Sequence, residues 1–211
     1  MPKGITMVVV VVITISIAVI AALGFYSPPN HDSLHTSSNL QAYVNPVYGM
    51  KILYPAQWQA FQMGKGDMIV GFISYPQNES GILDSVIVQT VDPYYYSLSL
   101  QEIAQKELAN YKSQIPTFRV YSSSHGVTSQ GLPFYRMEYS QKGDHLEIKT
   151  MEILVKNSNY IYRIVYNSDA SEYPLFVSQV KKMIDSMVLQ HQGEHAQQIT
   201  NYYRMEPFIT L

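Results

Sequence analysis

The string His191-Gln192-Gly193-Glu194-His195 carries the residue types of a zinc hydrolase in the order H-x-x-E-H. On a helix, two histidines four residues apart share a face and can hold Zn²⁺, while the glutamate activates metal-bound water. Three features oppose that chemistry here. Gly193 weakens a helix, the string lies in a polar tail beyond the last expected core residue, and only Glu206 offers a further carboxylate downstream. A solvated tail is the favoured reading. His31-Asp32-Ser33-Leu34-His35 repeats the spacing in an equally polar setting and is read the same way. Weak, adventitious Zn²⁺ or Cu²⁺ binding is the most that either pair is expected to show. The sequence carries no Gly-rich phosphate loop, nucleophile elbow or paired-carboxylate motif. No catalytic, cofactor or metal residue is therefore assigned, and an enzyme is the weakest class considered.

Two other groups suit recognition or modification. Tyr94, Tyr95 and Tyr96 follow Asp92-Pro93 between a strand and a helix. Three adjacent tyrosines cannot all point inward, and an exposed tyrosine is a good contact residue; ordinary edge packing is the alternative. Asn78-Glu79-Ser80 is a glycosylation sequon in an expected surface loop.

These groups sit in a chain of 211 residues with 14% charged residues, 14 Lys plus Arg against 16 Asp plus Glu, and no cysteine. The balance leaves no basic surplus for a nucleic-acid backbone. The missing cysteines exclude disulfides, thiolate metal sites and cysteine catalysis. With 46% hydrophobic residues and 18 tyrosines, there is ample apolar surface to offset chain ordering.

Residues 5–23 are uncharged and almost wholly apolar. As a helix they would run about 28 Å, close to the hydrocarbon thickness of a bilayer. Lys3 precedes the run and the next Lys or Arg is Lys51, so the positive-inside bias puts the N-terminus in the cytoplasm and the body outside it. The rival is a secretory signal cut near Ala22-Leu23-Gly24, but the run exceeds the usual 7–15 residues of such a segment. The expected organisation is an anchor at 1–26, a polar tether at 27–41, a domain at 42–189 and a tail at 190–211.

Within the domain, period-two segments bounded by turn residues predict strands. They are Met50 to Tyr54 ended by Pro55, Met68 to Ser74, a central strand at Ser85 to Val91, and Phe118 to Ser122 closed by a turn at His125-Gly126. A three-strand meander follows, with Tyr135, Met137 and Tyr139 on one face, a turn at Lys142-Gly143-Asp144, and another at Asn157-Ser158-Asn159. Between Leu146-Ile148 and Met151-Ile153-Val155 the apolar parity changes, which fits either a bulge near Thr150 or burial of both faces. Two helices interrupt the strands. Ser99 and Glu102 make a capping box for the first, with Leu98 and Ile103 as a staple. The second starts between Ser171 and Pro174 and aligns Phe176, Val177, Val180, Met183, Ile184 and Met187. The fold class is α+β: an antiparallel sheet flanked by helices and preceded by one transmembrane helix.

Tyr43 to Trp58 resembles the opening of PsbP-like domains, in which a Tyr-Gly-hydrophobic strand leads into Tyr-Pro and then Trp. Gly131-Leu132-Pro133-Phe134 with Tyr135 to Tyr139 is similar to that family's glycine-led middle strand, and Val180 to Val188 to its closing helix. The resemblance implies the α/β/α sandwich shared by the PsbP and Ran-binding Mog families and by mycobacterial LpqN-type lipoproteins. It implies a scaffold that binds partners and supplies no common catalytic site; photosystem association is not implied. On physical grounds Gly49 allows tight chain entry and Trp58 provides core area, with ligand stacking by its ring the less favoured role.

The function expected is a membrane-anchored extracytoplasmic domain that binds or assembles protein partners in a membrane or envelope complex. A solute- or metal-binding receptor domain is the alternative.

Overall fold

The computed structural model describes residues 39–62, 67–74, 84–143 and 146–189. Among the described residues, ten strands form two antiparallel sheets. The small sheet has the order β1-β2-β10, from β1 (Leu40–Asn45), β2 (Met50–Pro55) and β10 (Val188–Leu189). The large sheet contains β3 (Gln59–Phe61), β4 (Met68–Ile73), β5 (Ser85–Thr90), β6 (Arg119–Val127), β7 (Pro133–Lys142), β8 (Glu147–Lys156) and β9 (Ile161–Asp169). Its order is β3-β4-β5-β9-β8-β7-β6. The expected sheet is thus divided in two, and the first strand begins at Leu40, just ahead of the expected domain start.

The helix α1 (Leu100–Gln114) covers one face of the large sheet over β7 and β8, and α2 (Tyr173–Asp185) lies on the other face with the small sheet. The Ser99 hydroxyl accepts from the Glu102 amide, and the Glu102 carboxylate accepts from the Ser99 amide at 2.8 Å, so the capping box forms as expected. At α2, Glu172 precedes the helix without a side-chain cap, and Pro174 sits in the first turn, where a missing N–H costs least.

Two cores result. The larger lies between the large sheet, the small sheet and α2, and contains Trp58, Phe72, Ile164, Tyr166, Val180 and Met183. Trp58 packs there as expected, only 4% exposed. The smaller, under α1, gathers Ile103, Ala104, Tyr111, Tyr135, Met137, Tyr139 and Leu154.

Strand β8 shows why the apolar parity changed. Its pairing with β7 and β9 is continuous through Thr150, without a register shift. Met151, Ile153 and Val155 point into the larger core and Leu154 into the smaller. Burial on both faces is therefore the explanation, and the bulge is not formed.

The expected turn at His125-Gly126 is also corrected. Both residues lie inside β6, paired with Tyr135 and Phe134, and the chain reverses later, at Thr128 to Leu132. Gly126 leaves room for the Phe134 ring on the neighbouring strand: a Cβ at this position would sit 3.0 Å from it. Gly131, with φ of 75°, makes the actual turn, and Gly49, with φ of 59°, makes the tight reversal between β1 and β2.

Candidate functional site

Asp92 ends the segment after β5 and starts a short 3₁₀ turn, Pro93–Tyr95. Its carboxylate accepts from the Tyr94 amide at 2.8 Å, and its carbonyl accepts from the Tyr95 amide at 2.9 Å. Proline at the first position supplies the required φ. The turn presents the three tyrosines differently. Tyr94 is 78% exposed, whereas Tyr95 and Tyr96 are half-buried against the α1-side core. Tyr94 meets Tyr95 edge-on at 5.3 Å between ring centres, so the exposed ring is braced by its neighbour. The Lys156 ammonium donates to the Tyr96 carbonyl at 3.1 Å, which ties the turn to β8. Burial raises the Tyr96 phenol.

Beneath this turn lies a charged cluster that the sequence reading did not identify. Arg163 on β9, only 5% exposed, contacts Glu107 of α1 through Nη2 and Glu152 of β8 through Nε, the latter at 2.9 Å. Tyr139 of β7 donates to the other Glu152 oxygen at 2.9 Å. The Arg163 Nε–H is not aligned with Glu152, so charge more than hydrogen-bond geometry holds that contact. Tyr95 and Asp67 lie within electrostatic range of Arg163.

Two carboxylates share one guanidinium in this cluster. Burial raises the Glu152 carboxyl from its ordinary 4.5 to about 7, against the opposing effect of the Tyr139 hydrogen bond. Burial also lowers Arg163 to about 10. The Tyr111 and Tyr139 phenols are raised, first by burial and then by the nearby Glu152 charge. Such a cluster can hold a proton near neutral pH. With Glu152 fully buried and α1 lying across it, the cluster is closed to a substrate, and its geometry is that of a clamp between helix and sheet.

A second buried carboxyl, Asp84, accepts from the Tyr166 hydroxyl at 2.9 Å and is raised chiefly by burial. Among the described residues, no three His, Asp or Glu side chains are grouped to hold a metal ion.

Sequence reasoning singled out the tyrosines at 94–96, and the structure gathers them on one turn. The sequon at Asn78, the His31/His35 and His191/His195 pairs and the apolar run 5–23 lie outside the described residues. Among the described residues, no helix is long and apolar enough to cross a membrane. The signal for the missed cluster was present: Glu152 and Arg163 are opposite charges inside two apolar strands joined by one tight turn. In the register Glu152 faces Val165, with Arg163 diagonal to it.

The profile of a family described as PsbP-like protein matches residues 6–191. No curated protein matches the chain. Among solved structures, cyanobacterial PsbP (CyanoP) from Synechocystis sp. PCC 6803 is similar with a TM-score of 0.55 at 14% identity, covering 78% of this chain and 100% of that one. LpqN of Mycobacterium tuberculosis, described as involved in cell envelope biogenesis, is similar with a TM-score of 0.51 at 10% identity, covering 67% and 83%. The Ran-binding protein Mog1p of Saccharomyces cerevisiae gives 0.46 at 11% identity, covering 72% and 96%. At these identities the likeness shows the fold, here shared with CyanoP and LpqN.

Proposed function

We propose that this chain, which belongs to the PsbP-like protein family, is a membrane-anchored, extracytoplasmic module that binds a protein partner in a membrane or envelope complex without catalysing a reaction. The observation that carries this reading is the turn at 92–96. It presents Tyr94 to solvent on a hydrogen-bonded support, while Tyr95, Tyr96 and Lys156 fix its direction. Rigid, exposed aromatic rings with few rotatable bonds are efficient anchors for protein contacts. The chemically active side chains, by contrast, are turned inward under α1. The apolar run at 5–23 supplies the anchor, with Lys3 on its cytoplasmic side. The description of LpqN as a protein of cell envelope biogenesis accords with this setting.

The test is a photo-crosslinking amino acid at position 94 of the full chain in intact membranes. The expected result is a discrete crosslinked partner that is absent when the probe is moved to exposed Gln105 on α1. An unchanged partner set for the Tyr94→Ser variant in a pulldown would overturn the assignment. Protease added to whole cells is expected to digest the domain; protection of the domain would overturn the topology.

A further inference from the structure

The small sheet has a second face on which, among the described residues, Leu40, Ala42 and Val44 stand exposed. Paired residues share a side of a sheet, so the register Leu40↔Pro55, Ala42↔Leu53 and Val44↔Lys51↔Val188 defines the side turned away from the larger core. Tyr43, Ile52, Tyr54 and Leu189 occupy the inner side. On the outer side Leu40 and Val44 are each 57% exposed, and Val47 in the adjoining turn is 66% exposed. Leu53 and Val188 are half-buried beside them. The three strands contain no Asp or Glu, and Lys51 is their single charge. A soluble surface usually mixes charges of both signs with its apolar atoms, and an apolar patch without acids marks a contact.

We infer that this outer face rests on the bilayer surface, with Leu40, Val44 and Val47 entering the headgroup region and Lys51 meeting anionic lipid. The inference rests on the anchor reading given above. Chain connectivity selects the occupant. β1 is the first strand after the apolar run, separated from Leu23 by residues 24–39. Among the described strands β1 is closest in sequence to the apolar run, and sixteen residues, at most about 55 Å when fully extended, let its outer face reach the lipid. Aliphatic side chains next to a lone basic residue suit an interface that is apolar below and negatively charged above. Contact through this face leaves Tyr94, on the opposite side of the large sheet, directed away from the bilayer.

The absence of cysteine makes single-site labelling direct. Three variants of the full chain, Ile13→Cys, Val44→Cys and Gln105→Cys, are labelled with an environment-sensitive fluorophore. Each is reconstituted into phosphatidylcholine–phosphatidylglycerol vesicles containing nitroxide-labelled lipid. The expected result is quenching at positions 13 and 44, each several-fold greater than at position 105. Quenching at 13 with position 44 no more quenched than 105 would overturn the docking face and leave the anchor standing. Failure at 13 as well would overturn the anchor reading and this inference with it. A blue-shifted signal at 44 that persists in detergent and ignores the lipid quencher would overturn it in favour of a second copy or another segment of the chain covering the face.

Discussion

The two faces of the large sheet use the same strands with different chemistry. Toward α2 and the small sheet, β8 and β9 contribute Met151, Ile153, Val155, Tyr162, Ile164 and Tyr166 to a mainly apolar core. Toward α1 they contribute Leu154 and Ile161 together with Glu152 and Arg163. One helix is therefore packed mainly by area, with Lys149 over its Tyr173 ring and Ser186 accepting from the Leu53 amide, and the other is fastened by ion pairs as well. The difference teaches that the attachment of α1 responds to pH and to the loss of a single charged group. Apolar burial has no such dependence, whereas an orphaned buried charge is costly.

The sharpest way to break this contrast is a pair of truncations. Phe72→Ala in the apolar core is expected to cost about 3–5 kcal/mol in urea unfolding, equally at pH 5 and pH 8. Arg163→Ala is expected to cost about 3–5 kcal/mol at pH 8, because two carboxyls lose their counter-charge. That loss should shrink toward pH 5 as Glu152 takes up a proton. An Arg163→Ala penalty that does not change with pH would place Arg163 with the apolar residues.

Next in size is the pH slope of the intact chain. The Glu152 carboxyl is raised in the fold from 4.5 to about 7, so the folded state holds more protons than the unfolded state between those values. Its contribution is fully favourable below about pH 4.5 and is lost as pH rises through about 7, by at most about 3 kcal/mol. Asp84, also raised, adds a slope of the same sign. Glu152→Gln should remove most of the slope across this window, as measured by denaturant titrations at stepped pH.

The helix starts provide a smaller contrast. Ser99→Ala removes a formed cap and is expected to cost about 1 kcal/mol. Glu172→Ala, where no side chain caps α2, should stay within about 0.5 kcal/mol. Gly126→Ala is likewise expected to be small, below about 1 kcal/mol, because a half-buried Phe134 ring has only a few tenths of an ångström to yield.

Much of this framework was legible in the sequence because it rests on local signals. The Ser99–Glu102 box, the alternation of Tyr135, Met137 and Tyr139, and the Asn157 turn each act over a few residues, and each forms as expected. The losses share one cause, dependence on distant partners. Val188–Leu189 is too short to display a period and becomes a strand only because β2 pairs with it and the Gln130 amide accepts from Leu189 N. Gly126 carries a turn signal in isolation but serves a ring on another strand. Of the candidate site, the tyrosine turn was readable because Asp92-Pro93 announces it. Glu152 and Arg163 were hidden because a lone charge in an apolar strand does not name its partner, and only the register between β8 and β9 sets the two diagonally adjacent.

The order β1-β2-β10 has a consequence for biogenesis. The second strand must wait for residues 188 and 189 before its other edge is filled, although all of β3 to β9 is made in between. On a ribosome, which releases the chain from its N-terminal end, the small sheet therefore cannot be completed until the last segment of the domain has emerged. Release of the final turn of α2 and the pair that follows it is the event that closes this edge.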